Sequence, residues 1–193
     1  MVFALIETMR PKQWIKNLLV YAGALFSLKL FDPVSLGRAT AAFFLFCLIS
    51  GCVYIMNDVL DYKRDLVHPE KKNRPIPSGR LPRPAALTSL IVIFIVAFSV
   101  SFYLSVPFGV IALTYFVMNI AYSLQLKHMV IIDVMIIALG FVFRAVAGAL
   151  VIDVAFSHWL LICTMLLALF LAICKRRHEL NLIKEKAGNH RAV

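Results

Sequence analysis

Long apolar runs alternate with short charged connections, and six of them read as helices: 16–30, 38–57, 83–104, 107–124, 131–152 and 158–174. A helix rising about 1.5 Å per residue needs about 20 apolar residues to cross a hydrocarbon layer, so the second, third and fifth runs span with ease. The first is the weakest. Only 18–28 is free of charge, and Lys16 and Lys29 must reach opposite interfaces along their methylene stems. Arg10, Lys12 and Lys16 sit on a long arm before it and no small-residue cleavage site follows, which favours a retained anchor over a signal peptide. Pro69, Pro75, Pro77, Pro82 and Pro84 keep the connection after the second run from being one helix, and Ser78-Gly79 supplies a turn. The pattern predicts an all-α fold: a polytopic transmembrane helical bundle of six spans, one domain over 1–193, with 58–83 as an acidic helix end and loop.

Composition agrees. Of 193 residues, 62% are hydrophobic and 16% charged, and the mean hydropathy is +0.87, a balance that belongs to a multi-span membrane protein in a lipid bilayer. The net charge of +10 does not point to nucleic acid, because the basic residues lie between apolar runs without an aromatic-interleaved patch. They sort instead by side. Alternate connections collect Arg10, Lys12 and Lys16, then the seven cations from Lys63 to Arg83, then Lys127, then the cluster from Lys175 onward; the opposite side receives only Lys29 and Arg38. By the positive-inside rule both termini and the acidic loop face the cytoplasm. Cys47, Cys52, Cys163 and Cys174 form no CxxC pair and read as small buried hydrophobes, and the five histidines show no metal spacing.

Candidate chemistry centres on 54–84, YIMNDVLDYKRDLVHPEKKNRPIPSGRLPRP. At about 100° per residue, Asp58, Asp61 and Asp65 fall within about 60° of one another, with Asn57 one position earlier. Three carboxylates on one face repel unless a cation joins them, and oxygen-only ligands favour a hard ion such as Mg2+. Mg2+ fills its octahedron with water and substrate phosphates, so a diphosphate ester is the expected guest. The competing reading pairs these acids with Lys63, Arg64, Lys71 and Lys72 in a solvated loop.

Other candidates lie on the same predicted side. Lys12 and Lys16 stand one turn apart on the arm, with Gln13 and Asn17 as amide donors and Trp14 as an interfacial ring, a set that also suits simple topogenic charge. Tyr122 and Lys127 lie between the fourth and fifth runs, just before Asp133. Arg144 falls eleven residues beyond Asp133, about 16 Å further along a helix, inside the hydrocarbon. It is expected to line a polar cavity opening to the cytoplasm or to pair with an acid of another helix, and Gly140 and Gly148 would let helices approach there. Arg176 and Arg177 suit bidentate phosphate binding or a positive-inside stop.

In this order the residues resemble the UbiA superfamily of membrane prenyltransferases. The resemblance rests on Asn57-Asp58-x-x-Asp61-x-x-x-Asp65 followed by Arg74-Pro75-Ile76-Pro77-Ser78-Gly79. RPKQWIKN, YSLQLK, FVFRAVAGA and KRRHEL look more like the decaprenyl-phosphate phosphoribosyltransferase-like branch than the branches that prenylate aromatic rings. The resemblance implies a helical bundle around a central cavity, with Asn57, Asp58, Asp61 and Asp65 as the first of two acidic motifs that face each other across Mg2+ and a diphosphate. The second motif departs: Lys175, Arg176, Arg177 and Glu179 stand where relatives carry DxxxD. Relatives have about nine membrane helices, so this chain is expected to be part of such a bundle, incomplete at its C-terminus. The implied donor is 5-phosphoribosyl diphosphate and the acceptor a polyprenyl phosphate, with Lys12, Gln13, Lys16, Asn17, Arg74, Tyr122, Lys127, Arg144, Lys175, Arg176, Arg177 and Glu179 contributing to substrate binding. Three rivals share parts of the pattern: prenyl transfer from a polyprenyl diphosphate to an aromatic or other acceptor, a transporter, and a non-catalytic membrane scaffold.

Overall fold

A computed structural model describes residues 1–125 and 129–189, with the side chains at 130, 175, 176 and 178–189 left undescribed. The described elements are all helical. In chain order they are α1 (Val2–Thr8), a 3-10 rod (Pro11–Tyr21), α2 (Ala22–Phe26), α3 (Pro33–Leu60), α4 (Tyr62–Val67), a 3-10 turn (Lys71–Asn73), α5 (Arg83–Leu104), α6 (Val106–Leu124), α7 (Val130–Val151) and α8 (His158–Asn189). Four stretches among them are long and apolar enough to cross a membrane: Pro33–Leu60, Arg83–Leu104, Val106–Leu124 and Ile131–Val151; the apolar start of α8, His158–Cys174, is shorter.

α3 is the axis of the bundle. Its start is set by Asp32, whose carboxylate accepts from the Ser35 amide at 2.9 Å, and by Pro33 in the first turn, where a missing N–H costs nothing. Its 28 residues rise about 42 Å, more than the hydrocarbon layer requires, so the acidic C-terminal turns extend toward its edge. α5 and α6 cover one flank of α3, the 3-10 rod and α7 the other, and α8 packs outside α7. Phe46 of α3 meets the rings of Phe108 and Tyr115 of α6, 5.8 and 5.5 Å between centroids, which fixes the centre of the core.

The first predicted span is corrected in kind. Instead of one α-helix over 16–30, the chain forms the 3-10 rod and then α2, antiparallel to α3: Asn17 meets Cys47 and Ser50, while Tyr21 meets Thr40 at 3.0 Å. A 3-10 helix rises about 2.0 Å per residue, so eleven residues cover about 22 Å and reach as far as a longer α-helix would. The narrow winding suits a tight gap. A Cβ at Gly148 of α7 would collide with the Val20 carbonyl, and one at Gly23 would stand 2.8 Å from the Ala149 Cα. The close approach expected at Gly148 is thus present.

A second correction concerns two cysteines. Cys47 and Cys52 are buried, but Cys163 and Cys174 are exposed on the outer side of α8, among Ile162, Leu166, Phe170 and Ile173, which are exposed too. An apolar run that faces away from its own bundle leaves its cysteines there as well.

Candidate functional site

Helix α3 ends at Asp61, which links it to α4 with little break: the Asp61 amide still donates to the Asn57 carbonyl, and the Asp65 amide to the Asp61 carbonyl, both at 2.9 Å. The helical register that groups the acids therefore persists to Asp65. Beyond α4 the loop is stapled by apolar side chains. Ile76 and Leu81 are 1% exposed and pack with Ala4 and Met9 of the N-terminal arm and Ile55 of α3. Gly79 takes the turn with φ of +78°, a region that favours glycine. This anchoring turns Arg74 inward.

Arg74 Nη1 donates to Asp65 Oδ2 at 2.8 Å and Asp58 Oδ1 at 3.2 Å. Both acids are nearly fully buried, and each meets another cation: Arg10 Nη2 lies 2.6 Å from Asp58 and Lys71 Nζ 4.0 Å from Asp65. Of the cations named for the solvated-loop reading, Lys71 makes a contact; the shorter pairs come from Arg10 and Arg74. Asp61 faces an open cleft of about 430 Å³ beside Lys63, Arg64, Arg83 and Ser123. The three acids thus share a face but not a single point. Among the described residues no three acidic, histidine or cysteine side chains converge as a ready-made metal cage. Two buried carboxylates on one guanidinium nitrogen nevertheless fit an ion that takes few protein ligands and completes its shell with water and phosphate oxygens.

A second hollow lies deeper, about 210 Å³, with Lys16, Tyr54, Asn57, Tyr115, Asn119, Tyr122 and Arg144 on its walls. Of the candidates, Lys16, Asn57, Tyr122 and Arg144 meet here. Tyr122 donates to Asp133 Oδ1 at 2.7 Å. Asn57 joins the two hollows, because its side-chain oxygen accepts from the Ser123 hydroxyl, which lines the outer cleft. Arg144 is 6% exposed. Its Nε donates to Asn17 Oδ1 at 2.7 Å, its Nη2 to the Tyr115 hydroxyl at 2.9 Å and its Nη1 to the Gly140 carbonyl. Arg144 lines this hollow, and among the described residues no acid pairs with it.

The remaining candidates scatter. Asn17 is buried, its amide nitrogen reaching Cys47 and Ser50 of α3, so it orients Arg144 from behind. Lys12 is exposed and Gln13 half-buried, outside both hollows. Arg177 is exposed on α8. Lys127 and the side chains of Lys175, Arg176 and Glu179 lie outside the described residues.

Two features escaped sequence reasoning. Arg10 adopts a left-handed φ of 55°, stacks over the Tyr54 ring at 4.7 Å and reaches Asp58 across 48 positions, a pairing no local spacing reveals. Tyr115 and Asn119, by contrast, carried a signal: with the candidate Tyr122 they put polar groups at i, i+4 and i+7 of an apolar helix, which marks one face.

The UbiA prenyltransferase family profile matches residues 18–180. Among curated proteins the chain is 34% identical to decaprenyl-phosphate phosphoribosyltransferase of Mycolicibacterium smegmatis, covering 97% of this chain and 60% of that protein. It is 32% identical to the protein of that name from Mycobacterium tuberculosis, covering 97% and 63%. The chain therefore spans about 60% of the length of these relatives. Its fold is similar to that of a UbiA homolog from Archaeoglobus fulgidus solved with GPP and Mg2+, with a TM-score of 0.73 and 19% identity over 86% of this chain and 60% of that one.

Proposed function

The chain belongs to the UbiA prenyltransferase family, and from that premise we propose that it serves a membrane transferase that moves 5-phosphoribosyl from phosphoribosyl diphosphate to a polyprenyl phosphate. The observation that carries this reading is the pair of buried carboxylates, Asp58 and Asp65, gathered on Arg74 beside a cleft that opens at Asp61. The names of the relatives in two mycobacteria support the phosphoribosyl donor, and the Mg2+ in the archaeal UbiA homolog supports the ion.

Asn57, Asp58, Asp61 and Asp65 are the oxygen donors that would hold Mg2+. When bound, that ion supplies positive charge against the diphosphate as it leaves. The chain's own residues do the rest. Arg74 and Arg10, already held over the acids, are placed to turn their free N–H groups toward phosphate oxygens, a planar fork suited to such ligands. An acceptor phosphate oxygen attacks C1 of the ribose, the C1–O bond to diphosphate breaks with oxocarbenium character, and the electron pair departs on diphosphate. The nucleophile is already anionic, so no strong general base is needed, in keeping with histidines that show no catalytic spacing. The inner edge of the membrane, with the N-terminus and the acidic loop in the cytoplasm, is the proposed place of donor entry, from the asymmetry of Lys and Arg.

A labelled-donor assay tests the reading. Membranes containing the chain, alone and in the length of its relatives, receive phosphoribosyl diphosphate labelled in the ribose; label in the lipid extract is the expected result. A prenylated aromatic product without ribose label would replace the reading with prenyl transfer.

A further inference from the structure

The two hollows differ in what neutralises them. Among the described residues, every contact to the Arg144 guanidinium comes from a neutral partner: the Asn17 amide oxygen, the Gly140 carbonyl, the Tyr115 hydroxyl, and the ring faces of Tyr115 and Phe141 at 4.9 and 5.7 Å. These satisfy its N–H groups and fix its plane but cancel no charge. A guanidinium buried this deeply is stable when an anion faces it, and among the described residues no carboxylate does. What faces it is the inner cavity of about 210 Å³, where Lys16 brings a second cation to the wall.

We infer that this cavity seats the phosphate of the polyprenyl phosphate acceptor, with Arg144 as its specificity-determining contact; the inference rests on the phosphoribosyl-transfer reading for the identity of the lipid. Depth and wall chemistry select the lipid over the donor's 5-phosphate. Arg144 stands eleven residues past Asp133, about 16 Å along α7, and Val53, Ile136, Ile137 and Phe141 give part of the wall an apolar surface. A headgroup drawn in behind a hydrocarbon tail reaches that depth from the bilayer. A fully hydrophilic sugar phosphate is served by the outer cleft, where Asp61 lies beside Lys63, Arg64 and Arg83. The Asn57–Ser123 bond marks where the two compartments touch, and so where the lipid phosphate oxygen meets the ribose C1.

The test is equilibrium binding of farnesyl phosphate, farnesol and inorganic phosphate to the purified 193-residue chain in detergent with EDTA. In a separate arm, phosphoribosyl diphosphate is titrated with Mg2+. The wild-type chain should bind farnesyl phosphate at least about tenfold more tightly than farnesol, the discrimination a desolvated charge contact gives. Arg144→Gln should erase that difference, Arg144→Lys should retain part of it, and neither should alter affinity for phosphoribosyl diphosphate. A wild-type ratio near one, an unchanged ratio in Arg144→Gln, or inorganic phosphate bound as tightly as farnesyl phosphate would overturn the assignment. A parallel loss of phosphoribosyl diphosphate binding would overturn it in favour of a donor phosphate at Arg144. The wild-type ratio is informative even if a variant does not fold. Because the lipid arm contains neither metal nor donor, its outcome is separate from that of the labelled-donor assay.

Discussion

The acidic end of α3 and the cavity around Arg144 lie on the same helix bundle, yet they handle buried charge in opposite ways. At the helix end two carboxylates are buried and each is met by cations from distant segments, Arg10 from the arm and Arg74 and Lys71 from the loop. In the cavity one cation is buried and, among the described residues, dipoles and aromatic faces meet it but no carboxylate does. Paired charges of the first kind can exchange partners, which lets a cation-bearing guest displace an arginine without leaving an acid bare. A charge of the second kind is compensated only by what enters. The contrast is what the proposed reading builds on, in which the outer site would take a diphosphate that travels with a metal and the inner site an anion that travels without one.

The sharpest way to break the comparison is at Asp61, the acid that faces the open cleft. Asp61→Ala should lower metal-dependent label transfer by about a hundredfold or more, the scale of losing one positioned electrostatic group, while leaving farnesyl phosphate binding in EDTA unchanged. Transfer at the wild-type rate would remove the outer site from the reaction. Gly148→Ala attacks the inner site alone. The added methyl meets the Val20 carbonyl, forcing the rod that carries Asn17 away from the helix that carries Arg144. A loss of about 3 kcal/mol is expected from such overpacking, read as a lower thermal midpoint in detergent together with weaker farnesyl phosphate binding.

Arg74→Ala should cost about 2 kcal/mol by leaving Asp58 and Asp65 without their shared cation. Mg2+ should recover much of that loss, whereas a deficit insensitive to Mg2+ would argue that the acids are structural alone. The smallest effect belongs to the arm. Arg80 donates to both Glu7 oxygens at 2.7 and 2.9 Å, and these hydrogen bonds hold the Glu7 carboxyl below its ordinary value of 4.5. The pair therefore adds stability above that pH and loses it as pH falls through the depressed folded-state value. Glu7→Gln should flatten this acid limb of a melting-versus-pH curve and change little at neutral pH, because both side chains are half exposed.

What was readable in the sequence divides along the same line. The grouping of Asp58, Asp61 and Asp65 follows from helical period, and α3 runs into α4 closely enough for that period to hold. Arg144 stood out because an apolar run rarely carries a guanidinium, and its cavity followed from the cost of burying it. Which groups touch it does not follow from the pattern, since Asn17 lies 127 positions away on a segment whose 3-10 winding the apolar run does not reveal. Charges at Lys12 and Lys16 hid the rod's apolar face, and hydrophobic period does not distinguish a 3-10 helix squeezed beside Gly148 from an α-helix. The role of Arg10 is hidden for a related reason: topogenic charge and a carboxylate partner look alike until the chain path brings the arm to Asp58.

The most direct test of the central claim, that the acids at the end of α3 hold a metal-bearing diphosphate, is a titration of the purified chain with phosphoribosyl diphosphate, with and without Mg2+. The wild type and a variant carrying both Asp58→Asn and Asp61→Asn are compared. Binding that requires Mg2+ in the wild type and is lost in the double variant is the predicted result. Equal affinity in the two proteins, or binding indifferent to the ion, would contradict it.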